Sequence, residues 1–140
     1  MKVLFDTNIL IDVLAHRSPF YADSRKAVDL VVSGKIDGVV GAGSITDIHY
    51  TIKSRYRGAG DALVLISALV EIVRPVDTAA RDVLNAIKSG SADFEDAVVA
   101  ETAARESVDF IVTRNKNDFA KSRVPALLPA ELVEKIEGMC

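Results

Sequence analysis

Cysteine occurs once in this 140-residue chain, at Cys140, so no internal disulfide can form, and a reducing cytoplasm is the expected setting. Histidine occurs twice, at His16 and His49, and there is no Cys/His cluster of the kind that holds zinc. An excess of one charge is also missing. With 17 Lys and Arg against 20 Asp and Glu, the formal charge of −3 carries no global attraction for nucleic acid, and any such contact needs a local basic patch. No long hydrophobic run is present. The most apolar stretch, Ala62 to Val70, falls well short of the roughly 20 residues of a membrane span. Asp6 interrupts the first apolar run after three residues, too early for a signal-peptide core. With no repeat, low-complexity tract or linker, a single soluble, cytoplasmic domain over residues 1–140 is expected, long enough to bury a core without staples.

What is present is ordinary folded composition, 49% apolar and 26% charged. Val3-Leu4-Phe5 is a short apolar run that stops on Asp6, as a buried strand of a parallel sheet does, and the first helix is expected to open at Asn8. A helix is predicted over about Tyr21 to Val32, ended by Ser33-Gly34, then a strand at Gly38 to Gly41 and a helix starting near Ser44. After the Gly58-Ala59-Gly60 turn comes a helix over Asp61 to Val70, apolar nearly all round and expected in the core, or else on a partner chain. Ile72 to Val76 is a strand that Pro75 assigns to an edge or a strand end. Thr78 to Ile87 is a helix, Ala97 to Ala104 a small-residue helix, Phe110 to Thr113 a buried strand, Pro125 to Leu128 a short last strand, and Pro129 to Ile136 a closing helix. Alternating strands and helices predict an α/β fold, with a parallel sheet of four or five strands flanked by helices.

In such sheets, ligand sites lie outside the carboxyl ends of the strands. Asp6 stands at that edge, Asp47 just inside the helix after the second strand, Asp93 and Asp96 at the start of the small-residue helix, and Asp118 after the strand ending at Thr113. Carboxylates gathered in one place repel one another unless a cation lies between them, and oxygen-only ligands point to Mg²⁺ or Mn²⁺. A plainer explanation stands beside this one. Ser44 and Asp47, Asp93 and Asp96, and Asn115 and Asp118 all have capping-box spacing, and acids in a first turn complement the helix dipole. Capping does not explain Asp6 at the end of a buried strand.

Phe5-Asp6-Thr7-Asn8, Ser44-Ile45-Thr46-Asp47, Asp93-Phe94-Glu95-Asp96-Ala97 and Thr113-Arg114-Asn115-Lys116-Asn117-Asp118-Phe119 together resemble the ordered signature of PIN-domain ribonucleases, a family that includes VapC-type toxins of toxin–antitoxin pairs. The resemblance runs through essentially the whole chain. It implies a PIN-like fold and an Mg²⁺- or Mn²⁺-dependent endoribonuclease, with an RNA substrate, an antitoxin protein as partner, and a homodimer. By position, Asp6 and Asp96 are the main metal ligands, Asp47 falls where the family usually has Glu, and Asp93 is an acid found in part of the family. Asn8 sits in the first motif. Thr113 and Asn115 occupy the Thr-x-Asp position, where Asn115 replaces a charged ligand and leaves Asp118 as the substitute. A metal-activated water would serve as nucleophile without a histidine or lysine base.

For RNA, the candidate contacts are Lys53, Arg55 and Arg57 around Tyr56, then Arg114 and Lys116, with Lys121 and Arg123 beyond, although Lys53 and Arg55 also complement a helix C-terminus. A receiver-type domain would need paired acids after strand one and an acid ending a middle strand, and a haloacid-dehalogenase-like phosphatase would need Asp-x-Asp; Asp6-Thr7-Asn8 and Val39-Val40-Gly41 supply neither. A catalytically silent PIN-fold module that binds RNA or protein remains the alternative, given Asp47 and Asn115.

Overall fold

The computed structural model describes residues 1–138, so Cys140 lies outside the described residues. Five parallel strands form one sheet: β1 (Lys2–Phe5), β2 (Asp37–Gly41), β3 (Arg74–Val76), β4 (Phe110–Val112) and β5 (Ala126–Leu127), in the order β3-β2-β1-β4-β5. Among the described residues seven α-helices flank it: α1 (Thr7–Leu14), α2 (Tyr21–Val32), α3 (Ala42–Arg55), α4 (Ala62–Ile72), α5 (Ala80–Lys88), α6 (Phe94–Arg105) and α7 (Pro129–Glu137).

The first apolar run makes the central strand. Leu4 is in register with Val39 on one side and with Ile111 on the other, and Val3, Leu4 and Phe5 are at most 1% exposed. Alternation divides the strands between two cores. Val3, Phe5, Val40 and Val112 pack with Ile9, Leu10, Ile48, Ile52, Ile66 and Leu132. Leu4, Val39, Val76 and Ile111 pack with Val99, Ala103, Val108 and Phe119 beneath α6. Each of these Val, Leu, Ile and Phe side chains contributes roughly 1.5–3 kcal/mol of burial. Gly38 is required on β2 because a Cβ there would come within 2.6 Å of Val31 and 2.9 Å of Phe5.

The predicted order of elements matches the structure, with shifts at several ends. Helix α1 begins at Thr7, capped by Asp6. Helix α3 starts at Ala42 with Gly41 as its cap, which takes Ser44 out of the capping role expected of it. Strand β3 lies at the sheet edge, where Pro75 costs no ladder hydrogen bond. Helix α4 departs from the expected core placement. Ala62, Ile66 and Leu69 are buried, whereas Leu63 and Val64 are 63% and 65% exposed.

The sheet changes direction between β1 and β4, since β2 and β3 extend to one side of β1 and β4 and β5 to the other. The region outside the carboxyl ends of β1 and β4 is therefore the place where such sheets bind ligands. Two buried acids brace its surroundings. Asp82 on α5 accepts from Arg105 Nε at 3.0 Å and from the Ala79 N–H at 2.8 Å, joining α5 to α6. Asp12, with no exposed surface, accepts from Arg17 Nε at 2.8 Å and Ser24 Oγ at 3.1 Å, and pairs with Arg114 at 3.3 Å.

Candidate active site at the carboxyl edge of the sheet

Asp6 stands at the switch point. Its backbone N–H donates to the Val112 carbonyl at 2.9 Å, and its side chain accepts from the Thr7 N–H at 2.9 Å and from the Thr113 hydroxyl at 2.9 Å. Thr113 also accepts from the Asn115 N–H at 3.1 Å, so one hydroxyl ties the loop after β4 to the carboxylate after β1. Burial raises the Asp6 pKa against the lowering effect of the Thr113 and Thr7 hydrogen bonds; Asp118 adds to the rise, and Arg114 opposes it.

Asp93 caps α6, accepting from the Asp96 N–H at 3.0 Å, so here the capping explanation and a place in the acidic cluster coexist. Asp96 is half-buried. Its pKa is pushed up to about 7, first by desolvation, then by the charges of Asp6, Asp93, Asp118 and Glu95. Glu95 is raised by partial burial and by Asp47, Asp6 and Asp93. The structure therefore gathers Asp6, Asp47, Asp93, Asp96 and Asp118 into one electrostatic neighbourhood, and adds Glu95. The sequence reading does not single out Glu95; its place between Asp93 and Asp96 in one helical turn is the available signal. Asp118 sits in a 3-10 turn over Lys116–Phe119 with no side-chain cap from Asn115, so the capping-box expectation fails there.

The remaining candidates are engaged to different degrees. Asn8 accepts from Arg17 Nη2 through its carbonyl at 3.0 Å and its side chain at 3.2 Å. Lys53, Arg55 and Arg57 are exposed at the far end of α3 from Gly41, and Arg57 donates to the Lys53 carbonyl at 3.2 Å. Tyr56 packs against the core, with Arg17 lying 5.5 Å over its ring and donating to its hydroxyl at 3.3 Å, so one ring face is already covered. Arg114 lies over Phe20 at 3.9 Å. Lys116 pairs with Glu131 at 3.1 Å and Arg123 with Glu101 at 3.1 Å, while Lys121 is exposed. His49 is half-buried, and His16 stacks on Tyr21 with centroids 4.3 Å apart.

A hard divalent cation fits this donor set in kind, since the ligands are oxygens whose mutual repulsion a cation would relieve. Thr7 Oγ1, next in sequence to Asp6, is buried with no hydrogen-bond partner. Among the described residues, no group of three or more His, Cys, Asp or Glu side chains is already closed into a metal-holding set.

A five-stranded parallel α/β sheet with a buried aspartate at its switch point and acids from surrounding loops defines a class of acidic-site α/β domains. The chain belongs to the PIN-domain family, whose model matches residues 2–117. In fold it is similar to VapBC-1 from nontypeable Haemophilus influenzae, at 17% identity and a TM-score of 0.68 over 92% of this chain and 98% of that one. It is also similar to VapBC2 from Rickettsia felis, solved bound to a DNA fragment from its promoter, at 15% identity and a TM-score of 0.66 over 91% and 98%. A toxin–antitoxin complex from Klebsiella pneumoniae matches at 20% identity and a TM-score of 0.65 over 92% and 98%. No curated protein sequence matches the chain significantly.

Proposed function

We propose that the protein is a divalent-metal-dependent endoribonuclease and the toxin member of a toxin–antitoxin pair, acting as one nuclease domain over residues 1–140 in the cytoplasm. What supports this is Asp6, buried at the end of the central strand and held by Thr113, together with an Asp96 carboxyl whose pKa is raised by burial and by the charge of Asp6. Membership of the PIN-domain family supports the nuclease class, and the likeness to VapBC complexes supports an antitoxin partner. That no helix among the described residues is long and apolar enough to cross a membrane is consistent with this setting.

Asp6, Asp96, Asp47 and Asp93 would hold Mg²⁺ or Mn²⁺, with Asp118 adding charge from the opposite side. The bound ion supplies an activated water and neutralises charge on the phosphoryl oxygens. Thr113 fixes the Asp6 carboxylate, while Asn8 and Asn115 line the approach. Exposed Lys53, Arg55 and Arg57 would neutralise phosphates along the RNA, with Tyr56, Arg114 and Lys116 shaping the path between them. The exposed apolar residues of α4 suit a homodimer or antitoxin contact.

A silent binding module is the second possibility, favoured by the neutral, exposed Asn115. Purified protein, freed of any antitoxin, is to be incubated with structured RNA and Mg²⁺ or Mn²⁺, alongside EDTA, Asp6→Ala and Asp96→Ala. Metal-dependent cutting lost in both variants is expected. Cutting no faster than the variants, in folded protein, would sink the nuclease assignment.

A further inference from the structure

Beside the carboxylates, between the start of α3, α5 and α6, lies a cavity of about 330 Å³. Its volume is at the lower end of the roughly 300–1,000 Å³ usual for small-ligand sites. Leu4, Val83 and Val99 make much of its lining apolar, and Asp47 and Glu95 are exposed at its margin together with Phe94, a residue 51% exposed. The cavity and the acidic cluster therefore share two residues, so a ligand seated in one is adjacent to a group held by the other.

The chemistry of the walls narrows the occupant. Two carboxylates at the margin repel a phosphate, and the apolar walls within offer no partner to offset the desolvation of any charge, so the inserted group is neutral. Apolar walls favour a group with apolar faces. Polar atoms are few. The Thr102 hydroxyl is spent on Asp82 at 3.3 Å, and Thr78 Oγ1 accepts from the Gly43 N–H at 2.9 Å, which leaves the Thr78 proton and the Ser44 hydroxyl to meet a polar edge. A flat ring with apolar faces, a hydrogen-bonding edge and no charge meets all three conditions, and Phe94 at the margin can stack on it. A nucleobase is such a group.

We propose that this cavity is a nucleobase pocket, taking the base of a nucleotide adjacent to the scissile phosphate of single-stranded RNA. The proposal rests on the ribonuclease assignment above and adds to it a determinant of sequence preference. The backbone phosphate stays outside, at the carboxylates.

Gly41 provides a way to shrink the cavity. It has φ −64° and ψ 135°, open to any residue, and an added Cβ would meet Thr78 Oγ1 at 3.4 Å, Ser44 Oγ at 3.8 Å and Thr102 Cγ2 at 3.8 Å, all ordinary contacts. Gly41→Ala and Phe94→Ala are to be compared with wild type on a single-stranded oligoribonucleotide and on the same oligonucleotide with an abasic residue at each position in turn. Wild type should lose kcat/KM by roughly 5- to 150-fold when the abasic residue flanks the cut, the range for one base stacked on an aromatic side chain. Both variants should lose a similar factor on intact RNA and become indifferent to the abasic residue. Phe94→Ala stands alone if Gly41→Ala does not fold. Wild type that cuts abasic and intact RNA equally, or variants that keep wild-type rates, would overturn the proposal. If no RNA is cut in an Asp6-dependent way, the ribonuclease assignment fails instead, and the pocket is judged by NMR titration of adenosine, guanosine, cytidine and uridine. Shifts at Phe94 and Val98 that are lost in Gly41→Ala uphold it, and their absence with all four nucleosides refutes it. Variants that alter only antitoxin affinity, with cleavage and nucleoside shifts unchanged, would assign the cavity to a protein side chain and refute the nucleobase.

Discussion

The Thr113 hydroxyl donates to Asp6 Oδ2 at 2.9 Å, joining the ends of β4 and β1 through two side chains that are both buried. Thr113→Val keeps the shape and removes the donor. A hydrogen bond to a charged acceptor is worth roughly 1.5–3 kcal/mol, so urea unfolding should show a loss of about 2 kcal/mol at neutral pH. The Asp6 pKa should rise further, and Mn²⁺ affinity should fall with it, while Thr113→Ser should restore both. A Thr113→Val protein with unchanged stability and metal affinity would show that the bond carries no weight.

Asp12 has no exposed surface, and its two carboxylate oxygens pair one with Arg17 and the other with Arg114. Asp12→Ala leaves two largely buried cations without their acid, and removing one partner from a buried ion pair costs about 3–5 kcal/mol. Because Arg114 opens the loop carrying Asn115 and Asp118, amide hydrogen exchange in residues 114–119 should speed up beyond the general loss of stability. Protection that stays uniform across the chain would mean that Asp12 supports the fold alone.

The Asp96 pKa stands at about 7 against an ordinary 3.8. Between those values the folded protein holds a proton that the unfolded chain has released, so stability of the metal-free protein should fall as pH rises through that window and level off above it. Asp96→Asn removes the ionisation. With solvent screening of this half-exposed group allowed for, its Tm at pH 8 should exceed that of wild type by roughly 2–4 °C, about 1 kcal/mol, while cleavage is lost. Since a ligating carboxylate must be ionised, calorimetric Mn²⁺ affinity should rise with pH through about 7 and then flatten. An affinity that does not change between pH 5 and 8 would contradict this.

Leu63 and Val64 expose apolar surface on α4, next to the buried Ala62 and Ile66. Leu63→Asp should change monomer stability by no more than about 0.5 kcal/mol, as surface substitutions do. If α4 is the dimer face, sedimentation should show the variant shifted to monomer at concentrations where wild type is dimeric. Identical association in the two proteins would place any dimer contact elsewhere.

Much of the fold is written in short stretches of the chain. Val3 to Phe5 could only be buried on both faces, and Pro75 could only sit where a ladder bond is not needed; these follow from neighbours a few residues away. Helix α2 runs from Tyr21 to Val32, the span that its apolar periodicity and the Ser33-Gly34 stop predict. The acids at Asp6, Asp93 and Asp96 could be singled out because each ends or opens an element. Other features depend on partners distant in sequence. Glu95 joins the cluster through Asp47 and Asp6, which helical spacing from Asp93 does not reveal. Asp12 reads as one more polar residue on a short helix until Arg114 is brought to it across the fold. Which half of the apolar helix α4 faces the core, and that Arg17 covers Tyr56, are also set by packing. The division has one cause: periodicity and caps are local, whereas charges meet according to strand order, and β1 becomes central only once β2 and β4 have chosen opposite sides of it.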